Sequence, residues 1–177
     1  MVSGVCLVRK TLVPIAAIAI LGASNSARAE TIDRVLAVAA GQVIVLTDVT
    51  AARDLGLQSA DQGSDVIRAI LAKLIDRALM LAEVDRYGPP EPAPEAIDQA
   101  LAAVRARFPD REAFAAALAR SGIDEQHLRE TLRQDLRIRA YLDQRFSSSD
   151  PRRQTLLDEW LASLRRRGDV IDLYSQG

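Results

Sequence analysis

Apolar residues near the start of this chain alternate as they do in strands, and from Thr47 onward they recur as they do in helices. Residues 32 to 46, IDRVLAVAAGQVIVL, set Ile32, Val35 and Val38 before Gly41 and Val43 and Val45 after it. β-branched residues on both sides of a glycine predict two short strands and a tight turn, with Gly41 supplying the positive φ. Thr47 or Asp48 then serves as the cap of a first helix, whose apolar positions are Val49, Ala52 and Leu55, ending at Gly56. Polar QSADQGS (58 to 64) reads as a loop, and Ser64 as the cap of a second helix. In that helix Ile67, Ile70, Leu71, Leu74, Ile75 and Ala78 begin an apolar face so wide that neighbours are expected on more than one side.

Gly88 and PPEPAP stop the second helix, and Pro94 opens a third carrying Ile97, Leu101, Val104 and Phe108. Asp110 caps a fourth, with Phe114, Ala117 and Leu118 inward and Gly122 as its stop. Asp124 opens a fifth, DEQHLRETLRQDLRIRAYLDQRF, with Leu128, Leu132 and Leu136 four apart, then Tyr141 and Leu142; at ~1.5 Å per residue it is about 34 Å long. Asp150-Pro151 reads as the cap and first turn of a sixth, with Leu156, Leu157, Trp160, Leu161 and Leu164 inward. Arg165 to Arg167 oppose the dipole in its last turn, and Gly168 is its end. DVIDLY (169 to 174) returns to strand character. The predicted fold is mainly α: about six helices, with a small β element formed by the N-terminal hairpin and a C-terminal strand.

The first 29 residues change what counts as the folded chain. Arg9 and Lys10 flank the apolar run TLVPIAAIAILGA (11 to 23), and Ala27-Arg28-Ala29 is a small-x-small cleavage pattern, so residues 1–29 are expected to be a secretory leader and 30–177 the exported protein. Thirteen apolar residues interrupted by Pro14 fall short of the ~20 that span a bilayer, so no stable membrane insertion is expected after cleavage. Removing Arg9, Lys10 and Arg28 takes the formal net charge from −1 to −4, which argues against nucleic acid as a partner. Cys6 leaves with the leader, so neither disulfides nor a thiol nucleophile remain.

Chemistry-bearing constellations are scarce. His127, the only histidine, has no cysteines or clustered carboxylates around it to complete a zinc set and reads as a surface residue. Neither a nucleophile elbow nor a Gly-rich phosphate loop is present. Glu83, Asp85, Glu125, Glu130 and Asp135 alternate with arginines at helical spacing, as on a solvated face. The arginine strings RQDLRIR and SLRRRG lack interleaved aromatics. Tyr87, Phe108, Phe114, Tyr141, Phe146, Trp160 and Tyr174 lie near inward positions and read as core. No cofactor and no catalytic residue is expected.

In their order these elements resemble the SurA-type periplasmic chaperones, a group that includes PrsA-like foldases and shares an α-helical chaperone domain with trigger factor. The residues that carry the resemblance are IDRVLAVAAGQVIVLTDV, LAKLIDRALMLAEVDRYG, DREAFAAALARSGIDEQHLRETLRQDLRIRAYLDQRF and LDEWLASLRRRGDVIDLY. Foldase members insert parvulin-like prolyl isomerase domains, each on the order of a hundred residues, between the long helix and the closing helix. Here residues 147–153 occupy that place, joining 30–146 to 154–177 directly, so isomerase activity is not expected. The resemblance implies an ATP-independent holdase in the periplasm, binding unfolded or nascent exported and outer-membrane proteins. Its candidate client-binding residues are Phe114, Leu118, Leu128, Leu132 and Tyr141, each of which reads as core before it reads as contact. The rival expectation is a structural homodimer that buries the same apolar surface, with the closing helix exchanged across the 147–153 linker; an enzyme of other chemistry has little support in the residues.

Overall fold

In the computed structural model, which describes residues 33–59 and 65–174, the hairpin is β1 (Val35–Ala39) and β2 (Gln42–Val45). The expected leader and cleavage site after Ala29, with Cys6, Ile32 and Ser64, lie outside the described residues, which all belong to one compact unit. Both turn residues have positive φ, 51° at Ala40 and 78° at Gly41, the pairing of a type I′ turn, whose twist matches that of the strands. A third strand, β3 (Val170–Asp172), pairs antiparallel with β1 and gives the order β2-β1-β3. The hairpin and the last strand of the described residues thus meet in one sheet, as expected. A slip in register between Val35 and Ala37 lets consecutive residues Leu36 and Ala37 both become fully buried, the usual work of a bulge.

Helix α1 (Leu46–Asp54) follows β2 directly. Its cap differs from expectation: Val45 is the N-cap, its N–H donating at 2.9 Å to the Asp48 carboxylate reaching back, while the Thr47 N–H donates to Asp33 at 3.3 Å. Helix α2 (Val66–Tyr87) is capped by Asp65 and not Ser64; Asp65 accepts from the Arg68 N–H at 3.1 Å and from the Tyr174 hydroxyl at 2.6 Å. The Tyr174 hydroxyl first, and the Arg68 N–H second, hold the Asp65 carboxyl below the usual carboxylate range, and the same bond pushes the Tyr174 phenol up. Chain end and α2 start are fastened together by this contact. As its wide apolar face predicts, α2 touches α1, β1, β2 and two later helices.

Helices α3 (Pro94–Arg105), α4 (Arg111–Arg120) and α5 (Glu125–Arg145) begin as predicted: Pro94 in the first turn, then Asp110 and Asp124 accepting from the N–H groups of Ala113 and His127, both at 2.7 Å. Helix α6 (Arg153–Arg167) begins later than expected. Asp150-Pro151 forms the turn before it, the Asp150 carboxylate accepting from the Arg152 N–H at 2.8 Å, because an aspartate favours closing its own two-residue turn. The connection between α5 and α6 therefore comprises residues 146–152. It is anchored by Phe146, whose ring meets Trp160 edge-on at 5.7 Å.

Gly168 ends α6 for a different reason from the one its residue type suggests. Its φ is −74°, open to any residue, but a Cβ there would lie 2.4 Å from Leu79 Cδ2 and 2.8 Å from the Leu164 carbonyl. Leu79 can rotate; the helix backbone cannot. Gly168→Ala is expected to destabilise by about 1–3 kcal/mol, the usual cost of overpacking, read as a lower urea midpoint with an unchanged slope. A change under about 0.3 kcal/mol would show that α6 slides freely past α2.

Among the described residues the core falls into three clusters. One lies under the sheet (Leu36, Ile44, Val49, Ile70, Leu71), one among α3, α4 and the first half of α5 (Leu55, Leu101, Val104, Phe114, Leu128), and one where α2, α5 and α6 meet (Leu81, Val84, Ile138, Tyr141, Trp160). Beside the third, Arg165 grips the buried Asp76 carboxylate with two N–H groups, Nε at 2.6 Å, and ties α6 to α2.

Candidate binding recesses

Four of the five candidate residues, Phe114, Leu118, Leu128 and Leu132, come together in the α3–α4–α5 cluster, and Tyr141 stands apart in the α2–α5–α6 cluster. Leu128 is wholly buried and offers no surface to a client; Leu132 and Tyr141 are buried to much the same degree as Phe114 and Leu118, but they line neither of the two recesses described below, Tyr141 bordering instead a shallow hollow with Tyr87 and Arg145. Leucines four apart on α5 trace one narrow face, and that face is used up in packing α5 against α3 and α2. The stripe was spent on the fold.

Phe114 and Leu118 have a second aspect. Although mostly buried, they floor an open recess of about 740 Å³ with Ala102, Ala106, Phe108 and Ala115. Phe108 meets Phe114 edge-on, centroids 5.5 Å apart at 62°, a favourable arrangement of ring quadrupoles. Around this floor stand Arg105, Asp110, Arg111 and Glu125. The Arg105 guanidinium lies 5.5 Å over the Phe114 ring and also pairs with Glu125, so one cation bridges the aromatic floor and the rim. Residue-by-residue reasoning missed Ala102, Ala106 and Ala115. Small side chains on exposed helix flanks carry no periodic signal of burial; the visible hint was the alanine-rich run EAFAAALA.

A second, smaller recess of about 230 Å³ lies on the other side of α5, walled by β2, α1 and α2. Ile44, Ala52, Leu57, Leu74 and Ala78 form its apolar floor, and Asp48, Arg77, His127, Glu130 and Asp135 its polar rim. Arg77 makes one wall rigid: Nε donates to Asp135 at 2.6 Å, and Nη2 to the Thr131 carbonyl at 3.1 Å and to Gln134 at 3.0 Å. Hydrogen bonds from Arg133, and then from Gln134, hold the Glu130 carboxyl below the usual range, so it stays ionised near neutrality. His127 is exposed at this rim. No family model matches the chain, and no curated protein matches it significantly. The likeness to SurA-type chaperones stands on element order and spacing alone.

Apolar surface also remains on the sheet. Val38 has Val43 on one side and Ile171 on the other, and the two outer residues are 57% and 49% exposed. Tyr87, expected inward, is the last residue of α2; it is 62% exposed and lies stacked on Tyr141 of α5 at 5.8 Å. Among the described residues no group of three His, Cys, Asp or Glu side chains is placed to hold a metal ion, and no helix is long and apolar enough to cross a membrane.

Proposed function

We propose that the protein is an ATP-independent holdase that binds unfolded exported or outer-membrane polypeptides in the periplasm. The observation that carries this reading is the α3–α4–α5 recess: an aromatic and alanine floor left open to solvent between charged walls, a surface suited to apolar side chains of an unfolded segment. Its action is mass action. By lowering the free concentration of aggregation-prone chains it slows their association, at an affinity weak enough for release. The short 146–152 connection leaves α5 and α6 directly joined, so prolyl isomerisation forms no part of the proposal.

The test is to dilute a denatured outer-membrane β-barrel protein into buffer holding residues 30–177 and to follow light scattering. Near-stoichiometric protein should suppress the scattering. Ala115→Glu, at an exposed position of the recess, should lose most of that suppression with its urea midpoint unchanged, since a carboxylate resists burial under apolar groups. No suppression by the wild type, or full suppression by the variant, contradicts the proposal. Sedimentation of the same sample separates it from self-association: a tight dimer without effect on scattering would assign the recess to a second copy.

A further inference from the structure

The smaller recess opens beside a strand edge, and the two features together specify a ligand geometry. In the β1–β2 pairing, Ala39 faces Gln42 across a two-residue turn and Ala37 faces Ile44. Those are the hydrogen-bonded pairs of an antiparallel ladder, so the intervening Val38 and Val43 turn their N–H and C=O groups away from each other. Val38 directs its pair to β3, where Ile171 lies opposite. Val43 directs its pair to the open edge of β2, where no partner meets it among the described residues. Side chains alternate along a strand. A residue of an added strand opposite Val43 would therefore point outward with the Val43 side chain, and the residues on either side of it would point inward, over the floor made by Ile44, Leu57 and Leu74.

The rim adds charge to this geometry. Three carboxylates, Asp48, Glu130 and Asp135, face the recess; Arg77 pairs with Asp135 and Arg133 with Glu130, which leaves Asp48, held only by the Val45 N–H beside the β2 edge, as the carboxylate without a cation among the described residues.

We infer that β2 captures an extended polypeptide segment by strand addition at Val43, with an apolar side chain entering the recess and basic residues flanking it against the acidic rim. The inference rests on the holdase reading and adds to it a second contact, apart from the α3–α4–α5 recess: backbone pairing, which any sequence can offer, supplies breadth, and the smaller recess with its rim supplies preference.

The probe is a fluorescein-labelled, blocked peptide, Lys-Val-Phe-Val-Phe-Val-Lys, titrated with residues 30–177 by anisotropy. Val43→Pro removes the outward N–H, and proline is tolerated on an edge strand where that group faces away from the ladder. Affinity is expected to fall at least tenfold with Val43→Pro, and equally when every interior amide of the peptide is N-methylated and the wild type is used. A peptide with glutamates in place of its lysines should also bind at least tenfold more weakly, while Gln154→Ala, at an exposed position of α6 outside both recesses, should stay within twofold of wild type. Should Val43→Pro not fold, the N-methylated peptide decides alone. No measurable binding of the parent peptide, or unchanged binding after both backbone modifications, overturns strand addition while the scattering result for the wild type stands or falls separately. A Val43→Pro variant that dissolves a dimer yet binds the peptide normally would assign the β2 edge to a second copy and overturn the inference as well.

Discussion

Replacing Trp160 with alanine is expected to lower the unfolding free energy by about 3–5 kcal/mol, the range for truncating a large buried aromatic. Trp160 is only 9% exposed, and its ring lies 6.1 Å from Tyr141 and 5.7 Å from Phe146. The Arg145 guanidinium sits 5.8 Å over it. These contacts hold α6 against the end of α5, and α6 leads directly into β3. The loss should therefore spread: amide protons of Val170–Asp172 should exchange faster in Trp160→Ala than the global destabilisation alone explains. A loss below about 1 kcal/mol, or β3 amides that stay as protected as the rest of the sheet, would mean that α6 is held by other contacts.

Leu128→Ala should cost about 2–5 kcal/mol, since the side chain is completely buried between α3, α4 and α5. At temperatures where the variant remains folded, its suppression of client aggregation should match wild type. Ala115→Glu should show the reverse: stability kept, suppression lost. If Leu128→Ala left stability intact and abolished suppression, Leu128 would be a client contact and the packing of α5 described above would be wrong.

The contrast between Leu128 and Ala115 shows what was legible beforehand. Helix-capping aspartates, the proline at the start of α3 and the glycine between two β-branched runs each satisfy a local backbone requirement, so the elements and their order could be read from short windows. Pairing of β3 with the hairpin was also legible, because isolated strand-like segments far apart in a helical chain need a common partner, but that the partner is β1 and not β2 was not. At Ser64 and Asp150 the choice between neighbouring polar residues depends on what else each can reach: Asp65 gains the distant Tyr174 hydroxyl, and Asp150 closes its own turn. Gly168 is legible as a stop from its type, whereas its need for space beside Leu79 is a tertiary fact that no short window shows. The recesses were the least legible feature. Whether a leucine at helical spacing is core or contact depends on which neighbouring helix covers it, a tertiary fact, and the small residues that leave a surface open carry no amphipathic signal at all.

The central claim is that the α3–α4–α5 recess receives unfolded chains. Its most direct test is a photoreactive benzoylphenylalanine placed at Ala115, with the same group at exposed Gln154 on α6 as the comparison, irradiated while a denatured outer-membrane β-barrel protein is diluted into the sample. Adducts with that polypeptide are expected from position 115 and not from 154. Equal adducts from both positions, or none from 115, would contradict the claim.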